Sequence, residues 1–159
     1  MPSVSTEQAK AEALARFQDP SPNRINCYQA LLCFALLRMG EDPSFVTDAR
    51  YMGGGVAGMG ELCGVLNCIA LICGIRDHTL MKRGLREPPS AADALKQNIR
   101  DFEAEFGARR CRELTDYDLS SPEGMDAFRK SDIRARCSDY LNWAFDRLDP
   151  LLAPAVETV

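Results

Sequence analysis

Three observations on the 159 residues predict an all-α fold. Apolar side chains recur at helical spacing in one segment after another, and cap and stop residues bound those segments. No stretch alternates apolar with polar residues, and β-branched residues are sparse. Six or seven helices packed as an irregular bundle follow. The length fits one core-forming domain. We place an N-terminal helix and linker at 1–22, the helical domain at 23–149 and a tail at 150–159.

The elements follow in order. Residues 5–17 are rich in helix formers, and Asp19-Pro20-Ser21-Pro22 stops them. Asn23 to Met39 carries Ile25, Tyr28, Leu31, Leu32, Ala35, Leu36 and Met39 on a broad apolar stripe, with Gly40 as its C-cap, so this helix is central. Asp42-Pro43 pairs an N-cap with proline at the first helical position, opening a short helix to about Met52. Glycines at 53, 54, 55, 58 and 60 form a loop before a helix expected from about Gly60 to Ile75. The polar stretch 76–88 ends in Pro88-Pro89 and marks a connection, with its first part open to extending the helix before it. Ser90 caps a helix running to Phe106, which Gly107 stops. Ser121-Pro122-Glu123 opens another. The last helix spans Ser131 to Leu148, and Pro150 and Pro154 end it.

Composition narrows the function classes. A net charge of −4 argues against general nucleic-acid binding, which needs a basic surface. The apolar run Leu62–Ile75 falls short of the ~20 residues that span a bilayer and reads as a core helix, so no membrane span is expected. Residues 1–18 lack the apolar region of a signal peptide. Seven cysteines, an odd number, cannot all pair within one chain. A reducing cytoplasm is the expected setting, with the cysteines kept as thiols, metal ligands or redox groups.

The string Gly53-x-Gly55-x-x-Gly58 matches a dinucleotide fingerprint, but that motif has meaning only between a strand and a helix. Residues 46–52 look helical and no Gly-Lys-Ser/Thr follows, so no nucleotide is expected. The loop has another physical consequence. Glycine amides and the free N–H groups of the next helix form an electropositive nest. Cys63, in the first turn, would then be a stabilised thiolate. The alternative is that the glycines only permit tight packing. Arg109, Arg110 and Arg112 flank Cys111; they either favour its thiolate or form surface ion pairs.

Cys27, Cys33, Cys68, Cys73 and Cys137 lie on apolar stripes, where cysteine behaves as a small hydrophobe. No Cys-x-x-Cys pair exists, which removes thioredoxin-type, zinc-knuckle and c-type haem motifs. His78, the single histidine, stands in a polar stretch and reads as surface. No Ser-His-Asp set emerges.

Taken together, Asn26-Cys27-x-x-Ala30, Gly53-Gly54-Gly55-x-x-Gly58-x-Gly60-Glu61-x-Cys63-Gly64, Cys111-Arg112-Glu113-Leu114-Thr115 and Cys137 resemble the redox-active family named for its C_GCAxxG_C_C pattern. The resemblance spans roughly residues 24 to 145. A related domain occurs in split-Soret cytochromes. The four family cysteines match Cys27, Cys63, Cys111 and Cys137. The core departs from the pattern at Val65, in place of Ala, and at Cys68, in place of Gly. Cys68 then either fills a gap or adds a ligand or resolving thiol.

The resemblance implies a redox or metal-binding role. Four thiolates without histidine are a ligand set for an iron–sulfur cluster, or for zinc. The leading expectation is therefore an electron-transfer protein. Cys27, Cys63, Cys111 and Cys137 would bind the cluster, Gly55, Gly58 and Gly60 would line the cofactor side, and a redox partner protein would be served. A metal-free thiol/disulfide protein with Cys63 as reactive thiolate is one alternative. A helical binding module or structural zinc protein is the other.

Overall fold

The computed structural model describes residues 4–82 and 91–152. Among these, seven α-helices occur in the order α1 (Thr6–Gln18), α2 (Cys27–Met39), α3 (Gly64–Lys82), α4 (Ala92–Phe106), α5 (Cys111–Thr115), α6 (Pro122–Lys130) and α7 (Ile133–Leu152). A 3₁₀ segment, Pro43–Met52, joins α2 to the glycine loop. The described residues contain no strand, and one isolated antiparallel bridge, Leu62 with Arg110. The fold is all-α, as expected. The expected Ser90 cap and the Pro88-Pro89 stop lie outside the described residues, as does Pro154.

Local signals start and stop the helices. Ser5 and Gln8 form a capping box on α1, and Asn26 and Gln29 form one on α2. Each box satisfies two amide groups that a helix start leaves without partners. Gly40 closes α2 at φ 75°, a left-handed turn in which other residues carry a steric cost. Asp42 caps the 3₁₀ segment through the Ser44 amide, and Ser121 caps α6 through the Gly124 amide.

α2 is central, as its broad stripe predicts. Residues 28 to 36 are all buried, and the helix packs against α1, α3, α7 and the 3₁₀ segment. A helix apolar all round is stable only when enclosed. Phe34 of α2 lies against Phe145 of α7 with centroids 4.6 Å apart. Phe102, Phe106, Tyr140 and Trp143 make an edge-to-face cluster between α4 and α7. Such pairs add stability beyond burial alone.

Two helix boundaries need correction. α3 begins at Gly64, not near Gly60, and runs to Lys82. His78 sits on this helix, exposed, in keeping with its reading as a surface residue. α7 begins at Ile133 and continues through Pro150 to Leu152. Proline removes one helical bond; Pro150 lies in the last turn, and burial of Leu148 and Leu152 holds that turn in place.

Candidate functional site

The site is assembled from helix beginnings. Cys27 is the first residue of α2, directly after its cap Asn26. The Asn26 side chain accepts from the Gln29 amide at 2.9 Å and donates to the Arg50 carbonyl at 2.9 Å. One side chain thus fixes the start of α2 and the end of the 3₁₀ segment. Gly53 passes directly over it; a Cβ there would come within 2.6 Å of Asn26 Cγ.

Cys63 immediately precedes α3, and its carbonyl accepts the first helical bond, from Asn67, at 3.0 Å. Its own amide donates to the Arg109 carbonyl at 2.9 Å, while the Cys111 amide donates to the Glu61 carbonyl at 2.7 Å. Residues 61–63 and 109–111 are thereby tied together around the Leu62–Arg110 bridge. That tie sets Cys63 beside Cys111, which opens α5. Cys137 enters from the second turn of α7, half-buried. The four family cysteines come together, and three stand where helix amides favour negative charge.

Gly64 completes the arrangement. A Cβ at this position would meet the Cys27 sulfur at 2.9 Å. Lacking one, the backbone of α3 lets that sulfur lie against the helix start. The Cys27 and Cys63 thiols are thereby neighbours, and each strongly influences the other's proton.

The pair shares its protons unequally. The neighbouring Cys63 thiol is the largest influence on Cys27 and, with the local backbone amides and the Arg134 charge, brings its pKa down to about 7 against burial. Cys63, with Cys27 beside it and buried as well, is pushed well up. A helix start therefore does not make Cys63 acidic, because burial beside a second thiol outweighs it. Burial pushes Cys111 and Cys137 up to about 12. The arginines beside Cys111 do not reverse this: Arg112 pairs with Asp118 at 3.3 Å and Arg109 with Glu103 at 3.7 Å, as surface ion pairs.

The glycine loop closes on itself. Residues 54 to 58 all have positive φ, Val56 (62°) and Ala57 (52°) included. Gly58 donates to Gly53, Gly60 to Gly54 and Glu61 to Gly55. The amides of Gly58 and Gly60 are therefore committed within the loop. Gly55, at φ 68°, has Glu61 backbone where a Cβ would stand, and Gly60 has Arg112 there. Of the three glycines singled out, Gly58 reaches the cavity of about 460 Å³ onto which Cys27, Cys111 and Cys137 open. Cys63 lies behind Cys27, buried. Cys33, Cys68 and Cys73 are core, with Cys33 and Cys68 fully enclosed.

The donor chemistry, four thiols without a carboxylate among them, suits a thiophilic metal. The spacing does not close a ligand shell: among the described residues no three Cys, His, Asp or Glu side chains form a group able to hold a metal ion. Two contributors escaped the sequence reading. Asn26 had a readable signal in its cap position; Arg134, brought in by packing of α7, had none. No helix among the described residues is long and apolar enough to cross a membrane.

The family model described as "Putative redox-active protein (C_GCAxxG_C_C)" matches residues 25–151. No curated protein and no solved structure matches the chain.

Proposed function

The chain belongs to the C_GCAxxG_C_C family, and on that premise we propose that it is a thiol–disulfide redox protein whose reacting pair is Cys27 and Cys63. The observation that carries this reading is geometric: the Cys27 sulfur lies against the backbone of Gly64, the residue directly after Cys63, 2.9 Å from where a Cβ would stand. Cys27 faces the cavity and Cys63 stands behind it, the layout of an attacking and a resolving sulfur.

The step balances with a disulfide as oxidant. The Cys27 thiolate attacks one sulfur of R–S–S–R, forms a mixed disulfide and expels RS⁻, which takes up the proton lost from Cys27. Cys63 then gives up its proton and attacks the Cys27 sulfur, expelling the second RS⁻, which that proton neutralises. The protein dithiol is oxidised to one disulfide and the substrate is reduced to two thiols. Cys111 and Cys137, kept protonated by burial, hold the site apolar and unreactive around that pair.

An iron–sulfur cluster or zinc on Cys27, Cys63, Cys111 and Cys137, serving electron transfer to a partner protein, is the second reading. The shared location of four thiols without a carboxylate favours it; the absence of a closed ligand group weighs against it. One experiment divides the two. Protein purified without oxygen is assayed for iron, sulfide and zinc, and its free thiols are counted before and after mild disulfide treatment. The thiol reading predicts metal-free protein that loses two thiols reversibly. Stoichiometric metal with thiols resistant to oxidation would establish the second reading instead.

A further inference from the structure

The cavity above Cys27 has a charge character unlike the rest of the molecule. Arg24, Arg50, Arg129 and Arg134 line it, and no Asp or Glu does, although the chain carries a net charge of −4. Among the described residues none of these four takes part in an ion pair. They come from four separate parts of the chain: the lead into α2, the 3₁₀ segment, α6 and α7. Arg24, Arg50 and Arg129 are exposed at the mouth, whereas Arg134 is half-buried.

Arg134 is held in place. Its guanidinium donates to the carbonyls of Phe17 and Ile25 and lies 4.1 Å over the Phe17 ring. Arg24 stands near enough to repel it. Cations that face one another repel, and an anion that enters between them relieves that repulsion. Tyr51, Met125 and Phe128 supply apolar wall. A volume of about 460 Å³ suits a small molecule.

We propose that this cavity selects small disulfides bearing carboxylate or other anionic groups, held by the four arginines with the sulfur–sulfur bond toward Cys27. This rests on the thiol–disulfide reading. It adds the substrate class, because guanidinium groups pair with anionic oxygens and reject ammonium groups. The reaction is the one above: the anionic disulfide leaves as two thiols and the Cys27–Cys63 pair is oxidised.

The test uses the full-length reduced protein and three disulfides: 3,3′-dithiodipropionate (dianionic), 2-hydroxyethyl disulfide (neutral) and cystamine (dicationic). Each rate of Cys27–Cys63 disulfide formation is divided by that disulfide's rate with an unstructured cysteine peptide. The expected normalised preference for the dianion over the dication is about tenfold or more, falling as salt rises. It should shrink toward unity in the Arg24→Gln/Arg129→Gln double variant, with circular dichroism confirming the fold. Equal normalised rates with all three, the disulfide still forming, would overturn the anion selection and leave the redox reading standing. A preference undiminished in the arginine variant would also overturn it, since the charge would then lie elsewhere. If no disulfide oxidises the pair, the redox reading and this inference fall together.

Discussion

At residue scale the site turns on contacts shorter than a side chain. Gly64 has the Cys27 sulfur 2.9 Å, and the Met52 carbonyl 3.2 Å, from where its Cβ would stand. We predict that Gly64→Ala costs about 1–3 kcal/mol through overpacking and slows Cys27–Cys63 disulfide formation by moving the Cys27 sulfur. Chemical denaturation and a stopped-flow thiol assay read the two effects; an unchanged oxidation rate would remove Gly64 from the account. Cys68 is the matching control. It is fully buried and its thiol is pushed well up by burial, so it packs rather than reacts. Cys68→Ala should cost about 1 kcal/mol as a small cavity while leaving the disulfide rate as it was. A slowed rate would make Cys68 a participant.

At element scale the glycine loop carries the most backbone strain. Val56 adopts φ 62° with its side chain 42% exposed, so little packing offsets a conformation costing ~1–2 kcal/mol for a non-glycine residue. Val56→Gly should therefore raise stability by ~1 kcal/mol, seen as a higher denaturant midpoint at unchanged slope; a loss of stability would show that the valine contributes packing. A second element contact ties the ends of the bundle together. Asp149 of α7 accepts from Arg38 of α2 at 2.7 Å and from the Thr6 hydroxyl of α1 at 3.0 Å. Asp149→Ala should lower stability by about 1–3 kcal/mol, because Arg38 is left mostly buried without its anion. Most helix boundaries were legible because caps are local: Asp42, Ser121 and Gly40 act within four residues of themselves. The start of α3 was not, since residues 61–63 are held extended by residues 109–111. A pairing across that much chain leaves no mark in either segment's periodicity.

At the scale of the whole molecule, spacing alone could not bring Cys27, Cys63, Cys111 and Cys137 together; resemblance to a family pattern did, and packing of α2, α3, α5 and α7 gives the physical means. Packing also sets the acidity of each thiol, through burial and the groups it brings to short range. The core has a pH consequence as well. Burial raises the pKa of Cys33, Cys68 and Cys73 above the ordinary 9.0. Unfolded chains then lose these protons first as pH rises. The stabilising contribution is fully present below pH 9.0 and is lost as pH climbs through the raised native values. The thermal midpoint should fall above that pH, and replacing all three by alanine should flatten the fall. A midpoint independent of pH in that range would contradict the burial argument.

The most direct test of the central claim is peptide mapping by mass spectrometry after mild disulfide treatment of the reduced protein. The account predicts a single dominant cross-link, between the peptides holding Cys27 and Cys63, abolished by either Cys27→Ser or Cys63→Ser, with Cys111 and Cys137 recovered as free thiols. A dominant bond through Cys111 or Cys137, or no intramolecular bond at all, would contradict it.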